Sequence, residues 1–277
     1  MIPVAFRYKK VSALEEAINA LSDGETKILA GGHSLIPAMK LRLNQPPELV
    51  DISGIDALNG IREDDGEIVI GATTTHDTIA KNKIIREKIP FFSEAASMIG
   101  DLQVRNHGTI GGSIAHADPA ADWPAVVLAA DASIEVQSAK GKRRIKATDF
   151  FVGLFETLLA NDEIIISVRI PNPPKGSKTR YLKFPQPASR FALVGCAIMR
   201  LDNGDTKIAF TGVSSHAFRD KNAENSISGK AINDASISAA VNVAVQNVDI
   251  LSDHYASEEY RTHLAKIFLK RALQSVS

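Results

Sequence analysis

Cysteine is almost missing from this chain: Cys196 is the only one in 277 residues. A lone thiol closes no internal disulfide and furnishes no multi-cysteine zinc or iron–sulfur site. Tryptophan is as scarce, with Trp123 alone, and aromatic residues make up 6%. Charge of either sign is not in excess, since 32 Lys and Arg balance 32 Asp and Glu. That balance argues against nucleic acid or an anionic membrane as the main partner. No apolar run is long enough to span a bilayer, and the start, Met1-Ile2-Pro3-Val4-Ala5-Phe6-Arg7, has no signal-peptide pattern. The expectation is a cytoplasmic protein, and the length favours two domains over one.

Familiar catalytic motifs are absent too. There is no G-x-x-x-x-G-K-[ST] and no G-x-G-x-x-G, which disfavours a P-loop nucleotidase and weakens a Rossmann reading. Gly32-His33-Ser34-Leu35-Ile36 approaches the nucleophile elbow G-x-S-x-G, but Ile36 occupies the last glycine position of a turn that needs small residues. The seven histidines form no H-E-x-x-H or comparable metal pattern.

What is present is a pair of double glycines, Ala30-Gly31-Gly32-His33-Ser34 and Thr109-Ile110-Gly111-Gly112-Ser113. Glycine allows close backbone approach or φ > 0, and successive free N–H groups suit phosphate oxygens. Each segment alone reads better as a tight turn between packed elements. Together they suggest two loops converging on one diphosphate, with main-chain N–H groups of Gly31 to Leu35 and Gly111 to Ser113 as donors. Ser34, Thr109 and Ser113 would add hydroxyls. Neither loop contains lysine or arginine, so a backbone-held dinucleotide such as FAD in a neutral cleft is favoured. Valine at Gly32 or Gly111 is then expected to exclude the diphosphate.

Along the chain, strand-like and helix-like pieces alternate. Strands are expected at 27–30, 48–52, 68–70, 133–138, 143–147 and 163–170, those at 133–138 and 143–147 joined by a turn at Ala139-Lys140-Gly141-Lys142. Helices are expected over 35–42, from the threonine run 73–75 to Lys81, from Pro90 to Ile99, and from a cap-and-proline start at Asp118-Pro119 to Ala130. Pro171 to Ser177 is linker-like. Strands follow at 180–184 and 191–201, the latter turning through Asp202-Asn203-Gly204-Asp205 into 206–213, then helices over 235–248 and 257–273. The fold class is α+β.

The run from Leu29 to Leu43 resembles the first FAD motif of the medium subunit of molybdenum hydroxylases, and Gln103 to Asp122 resembles the second. This is the flavoprotein subunit of aerobic carbon monoxide dehydrogenase and its xanthine dehydrogenase relatives. Pro187-Ala188-Ser189-Arg190 and Ser257-x-x-Tyr260-Arg261 extend the likeness over nearly the whole chain. The resemblance implies a vanillyl-alcohol-oxidase (PCMH)-type FAD-binding domain over 1–171, itself split near 55, and a smaller antiparallel-sheet-plus-helices C-terminal domain over 178–277. It implies that Ile28, Leu29, Ala30, Gly31, Gly32, His33, Ser34 and Leu35 hold the diphosphate with Thr109, Ile110, Gly111, Gly112 and Ser113. Asp122 would sit near the ribityl or adenosine part, Ile99 and Ile165 would pack on the cofactor, and Lys183 would lie near the flavin ring. Bland readings stay open for two of these: a first-turn helix acid for Asp122, an exposed strand lysine for Lys183. Phe191 stands where the family pattern typically has tyrosine, which keeps an aromatic face and removes a hydroxyl. His33 and His116 lie close enough to the glycines to contact the cofactor, although a satisfied structural histidine is the favoured reading for each.

In that family electrons travel from a molybdopterin centre through two [2Fe–2S] clusters to FAD. Each cluster typically needs four cysteines, so one cysteine places the clusters on a separate small subunit and molybdenum on a large one. The implied assembly is a heterohexamer, and the implied acceptor is a quinone, NAD or oxygen. No catalytic residue, resident metal, nucleic acid or integral membrane segment is expected. Two rival readings remain: a stand-alone FAD oxidoreductase of the same fold, and a non-enzymatic nucleotide-binding or assembly module.

Overall fold

The computed structural model describes residues 2–21 and 24–277, so Met1, Ser22 and Asp23 of the expected first domain lie outside them. Strands β1 (Arg7–Lys10), β2 (Lys27–Leu29) and β3 (Glu48–Asp51) form a small parallel sheet in the order β1-β3-β2. Helix α1 (Leu14–Ala20) buries Ala17 and Ile18 against Val50 and Ile52. Two buried side chains in seven residues give little periodicity, which is why α1 escaped the sequence reading. Helix α2 (Leu35–Lys40) follows the first double glycine.

The second sheet contains β4 (Ile61–Asp64), β5 (Glu67–Gly71), β6 (Ser133–Ser138) and β7 (Gly141–Lys146). The small hairpin β8 (Phe151–Gly153) and β9 (Glu156–Thr157) comes next, and β10 (Ile164–Pro171) returns to complete the antiparallel order β4-β5-β10-β6-β7. Ser138 pairs with Gly141, so the expected four-residue turn tightens to Ala139-Lys140. Between β5 and β6 run α3 (His76–Lys81), α4 (Lys83–Lys88), α5 (Pro90–Met98), α6 (Leu102–His107), α7 (Ile110–His116) and α8 (Asp122–Ala129); α9 (Ala147–Phe150) precedes β8. Thr75 caps α3 as expected, its hydroxyl accepting the Thr78 amide.

The third sheet is β11 (Lys178–Pro185), β12 (Ala192–Arg200), β13 (Thr206–Thr211) and β14 (Phe218–Arg219), antiparallel in chain order. Helices α10 (Lys221–Ile227), α11 (Asp234–Val243) and α12 (Glu258–Ser275) cover one face of it. The first eight residues of β12 are buried because both faces are. Cys196 and Ile198 face the α10–α12 core, while Ala197 and Met199 join the core containing Trp123 and Phe92.

Several expectations shift, among them the helix expected over 235–248, which ends at Val243 ahead of the left-handed Val245. Asp118-Pro119 does not start α8. The Asp118 carboxylate accepts the Ala120 amide at 2.8 Å, making a turn, and the helix begins at Asp122. This turn is bolted to the third sheet: Ala192 N–H donates to the Ala120 carbonyl (3.0 Å) and Gly212 N–H to the Pro119 carbonyl (2.7 Å). The second double glycine is helical rather than a loop. Two glycines argue against a helix by propensity, but the Thr109 hydroxyl caps α7 by accepting the Gly112 amide at 3.1 Å.

Candidate cofactor site

The first double glycine leaves β2 and enters α2. Gly32 adopts φ +73°, which glycine adopts without strain. Gly31 is glycine for a different reason, since a Cβ there would lie 2.1 Å from the His107 carbonyl oxygen. Among the described residues, none of the amides from Gly31 to Leu35 is donated to another protein group. A run of unspent donors on a backbone that opens on a cleft is a receptor for anionic oxygens.

The second segment differs from expectation in mode. Ile110 N–H donates to the Thr74 carbonyl (3.1 Å), Gly111 N–H to Ala72 (2.9 Å), and Ser113 N–H to Thr109 (3.1 Å). With the Gly112 amide spent on the cap, this segment brings hydroxyls and a side-chain-free surface rather than free amides. Gly111 is glycine because a Cβ would meet that of Ala72 at 2.6 Å, so valine there would disturb packing instead of blocking the cleft. Gly112 faces the first segment, its Cβ direction ending 3.9 Å from Ala30. The two segments do converge.

Between them lies a cleft of about 900 Å³, near the upper end of ligand-sized cavities. Ile28 to Leu35, Ile99, Thr109, Gly111 to Ser113, Asp122, Ile165 and Phe191 all line it. Ile110 and Lys183 do not. Ile110 is wholly buried in the core beneath α7. Lys183 is also buried, neither an exposed strand lysine nor part of the cleft surface. Its ammonium donates to Asp122 (2.9–3.0 Å) and to the Arg190 carbonyl (2.7 Å). The Tyr181 hydroxyl donates to the same carboxylate at 2.5 Å. Asp122 is thus a first-turn acid, a cleft residue and one half of a buried ion pair. Burial pushes its carboxyl up while Lys183 and Tyr181 pull it down. Lys183 also fixes the left-handed Arg190 (φ 61°) that precedes Phe191 at the cleft's edge.

Sequence reasoning passed over several lining residues. His76, on α3, is buried beside Gly108, and its Nδ1 accepts the Trp123 indole N–H at 3.1 Å. Burial lowers its pKa to about 3, so the ring is neutral. Asp118 turns a carboxyl into the cleft, raised by burial against the opposing Ala120 hydrogen bond. Val152, Phe155 and Leu159 arrive from the hairpin segment that carries β8 and β9, with no motif to announce them. His33, held low by burial and by His107, lines the cleft, as does His116.

Against known proteins, residues 4–173 match the sequence family described as the FAD binding domain in molybdopterin dehydrogenase, and residues 179–276 match the CO dehydrogenase flavoprotein C-terminal domain. The carbon monoxide dehydrogenase medium chain of Hydrogenophaga pseudoflava is 37% identical, over 99% of this chain and 98% of that protein. The glyceraldehyde dehydrogenase medium chain of Sulfolobus acidocaldarius is 36% identical, over 100% of both. The solved carbon monoxide dehydrogenase from Hydrogenophaga pseudoflava that lacks the Mo-pyranopterin moiety of its molybdenum cofactor superposes with a TM-score of 0.95 at 38% identity, covering 100% of this chain and 98% of that one. The fold and the cleft therefore define an FAD-containing oxidoreductase subunit. The chain belongs to the family of FAD-binding medium subunits of molybdenum hydroxylases, of the carbon monoxide dehydrogenase kind. The residues fit that cofactor, since the unspent amides of Gly31 to Leu35 match a diphosphate and the bare Gly112 leaves room for it. No helix among the described residues is long and apolar enough to cross a membrane.

Proposed function

We propose that this chain holds FAD as the electron relay of a three-subunit molybdenum hydroxylase, taking electrons from [2Fe–2S] clusters on a small partner and passing them to an external acceptor. The large partner would carry the molybdopterin and the substrate, and the assembly would be a heterohexamer in the cytoplasm. The observation that carries this reading is the run of five unspent amides from Gly31 to Leu35, facing Gly112 and Ser113 across one cleft. When bound, the isoalloxazine supplies the redox chemistry. This chain's residues do the rest. Gly31 to Leu35 bind the diphosphate, with Ser34, Thr109 and Ser113 adding hydroxyls. Ile99 and Ile165 pack on the cofactor, Asp122 orients its polyol portion, and Phe191 covers the ring. Lys183 acts through Asp122 and Arg190 rather than on the cofactor itself. We take the chain as two domains, 1–171 (divided near 55) and 178–277.

Cys196, wholly buried and with its thiol pushed up by burial, leaves the chain without ligands for a cluster of its own. The acceptor is a quinone, NAD or oxygen, all compatible with a cleft that opens to solvent. Relatives named for carbon monoxide and for glyceraldehyde are 37% and 36% identical to this chain. A flavoprotein subunit alone therefore does not carry the substrate's identity, which belongs to the large partner.

Purification of the full chain tests the reading. A yellow protein with one FAD per chain is expected, together with co-purification of a cysteine-rich small chain and a molybdenum protein from the native source. A colourless protein that takes up no added FAD would overturn it in favour of an assembly module. A flavoprotein that oxidises a substrate without partners would replace it with the stand-alone enzyme.

A further inference from the structure

Phe155 lies between β8 and β9 with φ 56°, a backbone region that suits glycine and strains a bulky side chain. The β4–β5 turn of the same protein meets such a demand in the ordinary way, with Asp65 (φ 48°) and Gly66 (φ 76°). At 155 the chain places a phenyl ring instead. The ring is half exposed yet lines the cleft. Among the described residues its aromatic neighbour is His116, also a cleft residue, with centroids 5.1 Å apart and planes inclined by 46°. The hairpin beneath it is short, with strands of three and two residues and a register shift between Phe151 and Gly153. Little ladder pairing therefore fixes this conformation, and the His116 ring is the phenyl's ring contact at the cleft.

We propose that Phe155, backed by His116, is an aromatic clamp that stacks on a planar heteroaromatic ring of the dinucleotide in the cleft. The inference rests on the FAD reading given above. The ligand chemistry is a flat π-face, which FAD offers twice, as adenine and as isoalloxazine. An offset-stacked ring on phenylalanine tolerates either, because both present a π-face of the right size. His116, at the end of α7, supplies a second ring in contact with Phe155 at the cleft surface and limits its swing.

The test uses the full chain, with FAD, FMN and ADP as probes and binding measured by flavin fluorescence and calorimetry. Phe155→Leu keeps bulk and loses the ring, so it is expected to weaken FAD about tenfold. Phe155→Tyr restores the ring and is expected to bind FAD within about twofold of the original chain. Under Leu substitution one half-ligand should weaken while the other does not: ADP identifies adenine as the stacked ring, FMN identifies the isoalloxazine. Unchanged FAD affinity in Phe155→Leu overturns the clamp, as does equal weakening of both halves or of neither. A chain that binds no FAD in its original form instead overturns the reading on which the clamp rests.

Discussion

A methyl group at Gly31 would lie 2.1 Å from the His107 carbonyl, whereas one at Gly112 would meet only the Thr109 hydroxyl, at 2.9 Å, on its way toward Ala30. The two glycines therefore answer different demands. Gly31→Ala should force the segments apart and cost about 1–3 kcal/mol, as overpacking does. Gly112→Val should displace the capping Thr109 hydroxyl at a cost of about 1 kcal/mol and strip the flavin, read as bound FAD per chain by absorbance. Full flavin occupancy in Gly112→Val would remove the diphosphate site proposed between the two glycine segments. His76 makes a pH prediction. Its folded pKa of about 3 lies below the unfolded value near 6.5. The unfolded chain then binds the proton first, so this contribution to stability is intact above pH 6.5 and is lost as pH falls toward 3. The loss amounts to about 1.4 kcal/mol per pH unit in that window. His76→Gln keeps an acceptor for Trp123 and should flatten the acid limb of a melting-temperature profile. An unchanged limb would assign acid sensitivity to other groups.

Helix α7 shows how an element can contradict its own composition. Gly111 and Gly112 disfavour it by about 1 kcal/mol each relative to alanine. It forms because Thr109 caps it and because the Ile110 and Gly111 amides pair with the Thr74 and Ala72 carbonyls, as the Thr75–Thr109 bridge also indicates. Thr109→Val removes the cap's acceptor and should cost about 1 kcal/mol, a fall of roughly 2–4 °C in Tm, with weaker FAD retention. Thr109→Ser should restore both, and loss of FAD without loss of Tm would mean that the hydroxyl serves the ligand rather than the helix. Elements with a strong pattern were legible in the sequence. The alternation of β6, the β-branched run of β10, the proline at the start of α5 and the spacing in α12 each carried their own signal. Among those missed, helices α1, α4, α6 and α10 have six or seven residues and bury two, one, none and three side chains respectively, and α9, β1, β4, β8, β9 and β14 have two to four residues. Elements so short take their shape from neighbours.

For the molecule as a whole, the third sheet packs on both faces, and its contact with α8 decides the cleft's far wall. Asp122 on α8 and Lys183 on β11 form a buried pair across that contact, with Tyr181 on the same carboxylate. Lys183→Met would strand a buried carboxylate and cost about 3–5 kcal/mol. Lys183→Met with Asp122→Asn should recover most of it, because partners in one network are not additive. Additive losses in chemical denaturation would show that the two residues act separately. On its own the sequence pointed to FAD and to an α+β fold, and it left one cysteine where a cluster typically needs four, since residue type and local spacing suffice for each. Tertiary structure alone decided that the first double glycine offers free amides while the second is a capped helix, and that Lys183 braces the cleft without lining it. It also brought Phe155 to the cleft. The physical reason is that a free donor, a buried charge and a cavity wall are each defined by what long-range neighbours occupy. The paired glycines could be read before folding; which of their N–H groups stay unspent is settled only once Ala72, Thr74 and Thr109 have taken the others.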